Sequence, residues 1–328
     1  MYINSAWKLA RRACIALALS LLAAGAFAQQ WPSRPIKLIV PVPPGQGADI
    51  ISRLIAERLG PALGQPVVVE NKPGAGTMLG SEQAARSAPD GYTFLAAGSS
   101  ALAINPHLYA KMAYDPAKDF APVTQLVSID FVLCASPALP ARTVAEVLKL
   151  ARDKPGALTY GSPGSGTTAH LAMALFGAQN KLELMHVPYK GSVPAMTDLI
   201  GGQIGLMVDS VAVVQSQVKA GKVRAIAVTG LKRSELLPDV PTLDEQGMRG
   251  FDVATWTGLV APAGTPEPIL ERMNTEVVKI LRMPDVQQKI RDLGMSPVGD
   301  SREHFTRYIA SESTKWGEAV KASGAKVQ

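Results

Sequence analysis

The 328-residue sequence predicts an α/β protein of two doubly wound lobes joined by extended crossover strands. Three observations predict it. Short β-branched runs alternate with helix-patterned segments from Ile36 to Val228. Two long helix-free stretches, Phe120–Ala135 and Phe251–Val260, interrupt that alternation. Two glycine-rich strand-to-helix turns of similar chemistry occur, one in each half.

Residues 1–28 read as a cleavable export signal rather than as part of the fold. Lys8, Arg11 and Arg12 form a basic start, Ala13–Gly25 an apolar run, and Ala26-Phe27-Ala28 a small-residue cleavage signal before Gln29. The apolar run is shorter than the about 20 residues that cross a bilayer. Cys14 opens that run instead of ending it, so it does not resemble a lipid-attachment site, and Arg11-Arg12 lacks the surroundings of a twin-arginine signal. Cleavage after Ala28 leaves 300 residues, and the loss of three basic groups lowers the net charge from +6 to +3. That charge is too small and too dispersed for a nucleic-acid binder. One cysteine remains, Cys134 in the apolar context FVLCAS, and is expected to be a small core residue. A composition that is 47% hydrophobic can bury a large core, here divided over two domains.

Ile36–Val40 is the first strand. Pro41, Pro43, Pro44, Gly45 and Gly47 stop it, and Asp49, a capping residue type, precedes an apolar helical face of Ile50, Ile51, Leu54, Ile55 and Leu59. In an open α/β sheet such a turn lies at the carboxyl edge, where ligands bind, and the first helical N–H groups offer donors to an anion. An ordinary βα connection would look the same on this stretch alone. Pro66–Glu70 is the second strand, followed by Gly74, Gly76 and Gly80 in G-x-G-x-x-x-G spacing. This approaches a dinucleotide fingerprint, but no acidic residue follows at the ribose offset on a clear strand. Close backbone packing is the preferred use. A helix over Gly80–Ser87, a turn at Pro89-Asp90-Gly91 and a strand over Tyr92–Ala96 follow, with Gly98-Ser99-Ser100 placing hydroxyls at the strand's carboxyl end.

Phe120–Ala135 reads as a crossover strand, after which the βα pattern restarts. A helix runs from Thr143 to Lys154 and a strand over Leu158–Gly161. Ser162-Pro163-Gly164-Ser165-Gly166-Thr167-Thr168 is the second loop, rich in hydroxyls and glycines at a helix start and suited to a carboxylate. It is neither a P-loop nor a nucleophile elbow. His170 in the first helical turn reads as a structural histidine. A strand over Leu182–Tyr189 delivers Tyr189 and Lys190 to the cleft side, and a strand over Ile204–Val208 delivers Asp209 and Ser210. A helix over Val211–Ala220, a strand over Val223–Val228, the returning stretch Phe251–Val260 and a helix from Pro268 to about Met283 follow. A last amphipathic helix, Arg302–Lys321, is expected to pack on the first domain.

No H-E-x-x-H, no Cys/His cluster and no acid/base pair accompanies these loops, so the expectation is no catalytic residue, no metal and no cofactor. The competing reading is a secreted α/β hydrolase using a hydroxyl of Ser162–Thr168 with His170 or His186.

The segments PVPPGQGADIISR, NKPGAGTMLG, APDGYTFL, YDPAKDFAPVT, GSPGSGTTAHLA, HVPYKG, DLIGGQI, AGKVRAIAVT, LPDVPTLDEQG and WTGLVAPAGTP, in that order, are similar to those of the Bug-type extracytoplasmic receptors of tripartite tricarboxylate transporters. The resemblance spans nearly all of residues 31–325. It implies a two-lobed periplasmic binding protein of type II-like, crossed-strand design, with residues 29–128 and 253–328 in domain 1 and residues 129–252 inserted as domain 2. It implies a monomer in the periplasm that captures a small organic acid, an aromatic acid or amide among the options, and hands it to integral-membrane transporter subunits, without nucleic acid. A ligand-triggered sensor for a two-component system is the alternative output. The family holds a ligand carboxylate between the two loops, partly through bridging waters. Carried over by position, one wall is Val42, Pro43, Gly45, Gln46 and Asp49; Ser99, a candidate from its place at the neighbouring strand end and not from the family, stands beside it. The opposite wall is Ser162, Gly164, Ser165, Gly166, Thr167 and Thr168, flanked by Tyr189, Lys190 and Asp209. The family usually has an aromatic residue where Val42 stands and a glycine where Gln46 stands, and both departures bear on ligand identity.

Overall fold

The computed structural model describes residues 31–325, so the leader and the expected cleavage point lie outside the described residues. β1 (Ile36–Val40) buries every side chain except Lys37, as a central parallel strand covered on both faces requires. It pairs in parallel with β2 (Val67–Asn71) and β3 (Thr93–Gly98), Ile36 opposite Val67 and Lys37 opposite Thr93. Between β1 and β2 runs α1 (Gly47–Leu63), which starts ahead of Asp49 with Gln46 in the extended cap position and ends on Gly64 at φ +74°. Asp49 is therefore the third helical residue and not the cap.

α2 (Met78–Ala85) follows the Gly74–Thr77 turn. A Cβ on Gly80 would lie 2.8 Å from the Lys72 carbonyl oxygen and 3.0 Å from Pro41 Cα. The glycine spacing thus serves backbone approach, pressing α2 against the end of β1. Gly80→Ala is expected to cost about 1–3 kcal/mol, because backbone and not a flexible side chain would have to move. Urea denaturation measures it, and an unchanged midpoint would refute the account.

After β3, where the sequence places the hydroxyls of Ser99 and Ser100 at the strand end, the chain winds through a π-helical turn, Ser100–Ile104, into α3 (Asn105–Leu108), burying Ala101–Ile104. α4 (Pro116–Asp119) leads into β4, which spans Phe120–Ala135 as expected. Residues Phe120–Asp130 pair antiparallel with β9 (Ala254–Pro262), whereas Phe131–Ala135 pair antiparallel with β7 (Leu206–Ser210). One strand thereby passes the chain from one half of a curled ten-stranded sheet to the other; eight of the strands follow the order β2-β1-β3-β9-β4-β7-β5-β6, with β5 at Thr159–Ser162 and β6 at Met185–Pro188.

The second half contains α5 (Val144–Asp153), closed by a Thr143/Glu146 capping box, then β5 (Thr159–Ser162), α6 (Thr168–Asn180), β6 (Met185–Pro188) and α7 (Ser192–Ile200). β7, α8 (Val211–Lys219) and β8 (Arg224–Val228) complete it, with β8 also pairing with β4. β6 is shorter than predicted, because Leu182 and Leu184 leave the ladder and pack on Gly177 of α6. β7 is shifted, so Asp209 and Ser210 are its last two residues rather than its extension. The helix expected to reach Met283 is α9 (Glu267–Leu281), and Pro284 starts a separate α10 (Pro284–Asp292). The two-residue β10 (Ser296–Pro297) then pairs with β4.

α11 (Arg302–Ser323), capped by the Ser301 hydroxyl, packs on the Ser100–Ile104 turn and also on α6. The largest buried cluster is continuous through both halves, with Leu95 and Leu102, Leu133 and Leu171, and Phe305 and Trp316 all within it. A second cluster lies under α1, α9 and α10, and a third under α7 and α8. Cys134 is fully buried in the third, and burial pushes its thiol up to about 12. Among the described residues no helix is long and apolar enough to cross a membrane.

Candidate ligand-binding site

The first loop is organised from behind by Asp49. Its side chain is buried, and both carboxylate oxygens are engaged: Gly45 N–H donates to Oδ2 at 2.8 Å, while Arg53 Nε (3.0 Å) and Asn71 Nδ2 (2.9 Å) donate to Oδ1. Burial works against its charge, but these donors hold the carboxyl below the usual aspartate range. Asn71 Nδ2 also donates to the Val42 carbonyl at 3.0 Å, which binds the loop to the end of β2. Gly45 at φ +84° takes a turn that other residues rarely adopt. Pro43, Gly45 and Gln46 are exposed at the crest, and Val42 is half-buried against the core. Asp49 is thus a positioning residue whose oxygens are spent within the protein.

Ser99 is buried with its hydroxyl 2.9 Å from Thr255 Oγ1, so it ties β3 to β9.

The second loop is built the same way around two histidines. Ser162 is fully buried, with its Oγ 2.7 Å from His186 Nε2 and within reach of the Gly164 amide. Gly166 N–H donates to His170 Nδ1 at 3.0 Å. Thr167 caps α6, its hydroxyl accepting from His170 N–H and donating to the Gly164 carbonyl at 2.7 Å. Ser165 is left exposed at the crest, with Thr168 half-buried behind it. The rings of His170 and His186 stack at 3.9 Å between centroids, and Tyr160 stacks on His186 at 4.9 Å.

The flanking residues separate by role. Tyr189 N–H donates to the Ser162 carbonyl, and its hydroxyl donates to Asp198 at 2.7 Å. Burial and the adjacent Asp198 carboxylate push the Tyr189 phenol up to about 12. Lys190 is exposed. Asp209 is buried; its Oδ1 accepts from Ser210 N–H at 2.7 Å, whereas Oδ2 has no hydrogen-bond partner among the described residues. Burial raises the pKa of Asp209, opposed by Ser192 and the Ser210 amide.

The structure gathers Ser162–Thr168 with Tyr189 and Lys190, since Gly191 N–H bonds the Pro163 carbonyl. The two halves touch at Leu108, 3.5 Å from where a Cβ on Gly166 would lie, and at Gly294, whose Cβ would lie 2.5 Å from Ala212 at the start of α8. Met295 in turn presses on Gly47 of the first loop. A cavity of about 510 Å³ begins at Ser165, Gly166, His170 and His186 and runs along α6 to Ala325. None of the first-loop residues lines it. Sequence reasoning missed the buttresses Arg53, Asn71 and His186, whereas His170, read as structural, holds the Gly166 amide. The available signal was spacing, with Asp49 four residues after Gly45 and His170 four after Gly166.

The family described as "Tripartite tricarboxylate transporter family receptor" matches residues 51–325. A relative named "UPF0065 protein in tcbD-tcbE intergenic region" from Pseudomonas sp. (strain P51) is 38% identical over 314 residues, covering 94% of this chain and 93% of that protein. The solved structure of "R. palustris Rpa4515 with adipate" is 35% identical with a TM-score of 0.73, covering 90% of this chain and 100% of that one. That of "MatC (Rpa3494) from Rhodopseudomonas palustris with bound malate" is 32% identical with a TM-score of 0.69, covering 88% of this chain and 100% of that one. The fold, the two buttressed loops and these matches agree: the chain belongs to the tripartite tricarboxylate transporter receptor family and is a solute-binding receptor of that family.

Proposed function

We propose that the protein is a periplasmic monomer, released by cleavage after Ala28, that closes on a small dicarboxylate and presents it to membrane transporter subunits. The observation that carries this reading is the back-bonding of both strand-to-helix loops. Their inner groups are spent on Asp49 and on the histidine pair, while Pro43, Gly45, Gln46 and Ser165 stay exposed at the crests. Such pre-ordered loops at helix starts suit an anion with little ordering cost. Adipate and malate, bound by two solved relatives, support the ligand class. Residues 29–128 with 253–328 and residues 129–252 are the two moving halves in this reading; the change of partner along β4 at Asp130/Phe131 supports that division. Asp209, with one unpartnered carboxylate oxygen, suits a donor such as a ligand hydroxyl, a water or a protonated acid.

Turnover is not part of this proposal. Ser162 and His186 lie 2.7 Å apart in the manner of a nucleophile and base, the one observation that favours a hydrolase. Ser162 is fully buried, and His186 packs against the Tyr160 and His170 rings, with no carboxylate among the described residues to orient it.

Thermal-shift screening of malate, adipate, longer dicarboxylates, tricarboxylates, aromatic acids and amides tests the reading. A ligand at 100 times its dissociation constant adds about 2.7 kcal/mol of stability. Dicarboxylates are expected to lead, and a Ser165→Trp variant of unchanged basal melting temperature to lose the shift. A silent panel, or ester hydrolysis abolished by Ser162→Ala, would overturn it.

A further inference from the structure

We propose that His170 and His186 are positioning residues that hold the second loop in its anion-accepting shape, and that protonation of His170 releases it. The proposal rests on the reading of Ser162–Thr168 as a ligand wall.

Hydrogen bonding alone determines the state of the His170 ring. Its Nδ1 accepts from Gly166 N–H at 3.0 Å, so Nδ1 carries no proton and the ring is the neutral Nε2–H tautomer. His186 reaches the other side of the loop through Ser162 Oγ, which accepts from Gly164 N–H at 3.3 Å. Gly164 (φ +150°) and Gly166 (φ +78°) both have backbone angles in the region that favours glycine; the Gly166 amide is held by His170 directly, and the Gly164 amide by Ser162, which His186 holds in turn. Protonating His170 places a hydrogen on Nδ1 that faces the Gly166 hydrogen, turning an acceptor into a repelling donor. It also sets a cation 3.9 Å from the His186 ring.

Among the described residues, nothing that lines the cavity with His170 gives that cation a counter-charge. Tyr160 from β5 and His186 from β6 are the titratable groups that line the cavity with His170. Met173, Ala174 and Gly177 of α6 and Ala322–Ala325 at the end of α11 bring no charge. Burial, then the neighbouring His186, lower His170 from 6.5 to about 4, and burial lowers His186 as well. The unfolded chain takes the proton more readily, so the contribution is complete above about pH 6.5 and is lost as pH falls toward about 4.

The test compares wild type, His170→Asn and His170→Leu. The Asn side-chain oxygen can occupy the Nδ1 position and accept from Gly166 without titrating, whereas Leu cannot accept. In ligand-free wild type, the Gly166 amide proton resonance should move with the titration of His170, and in His170→Asn it should stay flat. With adipate as probe, His170→Leu should bind about tenfold more weakly at pH 7.5 while remaining folded, and His170→Asn within about threefold of wild type. As pH falls, wild type should lose affinity relative to His170→Asn, a ratio that cancels the titration of adipate itself. A Gly166 resonance indifferent to His170, parallel pH profiles for wild type and His170→Asn, or tighter relative binding by wild type in acid would each overturn the proposal. A Gly166 resonance that follows His170 supports it whether or not adipate binds; silence of adipate then counts only against the ligand reading of the loop.

Discussion

Replacing Glu312 by leucine is expected to cost about 3–5 kcal/mol, a large part of the about 5–15 kcal/mol that holds such a fold together. Glu312 is 2% exposed and accepts from the indole N–H of Trp256 and of Trp316, each at 2.9 Å, while pairing with Lys315. Trp256 belongs to β9, the strand that returns to the first half of the sheet, and both indoles are at most 1% exposed. Water therefore cannot replace the lost carboxylate, and two buried donors are stranded at about 1–3 kcal/mol each. Replacing a whole buried polar group by apolar ones can be neutral, but that case does not apply, because the indoles remain. Lys315 contributes less, since it is partly exposed and keeps its bond to the Asp252 carbonyl at 2.6 Å. Glu312→Gln retains a carbonyl acceptor and should lose about half as much. Urea unfolding followed by tryptophan fluorescence and circular dichroism gives both values. A leucine variant within about 1 kcal/mol of wild type would show that the indole bonds contribute little.

The contrast between this residue and the strands shows what pattern reasoning can reach. β4 was legible to the residue, because a 16-residue run without helical periodicity, whose one breaker, Pro122, lies near its start, leaves few alternatives. The two loops were legible because glycine and proline constrain the backbone wherever they stand. Glu312 was not, since a glutamate on a helix reads as solvated until Trp256, 56 residues away, is brought onto it by the sheet. The histidine stack was hidden for the same reason. Parallel pairing of β5 with β6 sets Tyr160 opposite His186, and the cap at Thr167 turns His170 onto that pair. Ser99 looked like a free hydroxyl at a strand end, yet antiparallel β9 supplies Thr255 beside it. Each miss depends on long-range register, which local periodicity does not encode.

Removing the Asp49 carboxylate is expected to damage ligand capture more than stability. Of its partners, Gly45 is exposed and Arg53 about half exposed, so both can turn to water when Asp49→Ala removes their acceptor. Asn71 keeps its bond to the Val42 carbonyl. The stability cost should therefore stay near about 1–2 kcal/mol. The loop itself loses the contact that fixes Gly45 in its left-handed turn, with Pro43–Gln46 free to sample other shapes. Re-ordering even two such residues on binding costs about 1–2 kcal/mol each. Affinity for a dicarboxylate should accordingly fall about 30- to 700-fold. Asp49→Asn should fare little better, because its amide keeps one acceptor but turns an N–H₂ toward either the Gly45 N–H or the Arg53 and Asn71 donors together. Calorimetric titration with malate or adipate, beside thermal melts of the same samples, separates the two effects. The account fails if Asp49→Ala binds as wild type does, or if its loss of affinity only follows its loss of fold. Asn71→Ala supplies the check on mechanism: it frees the Val42 carbonyl and removes one of the two donors on Asp49 Oδ1 together. Combined with Asp49→Ala it should add little, because both changes release the same loop.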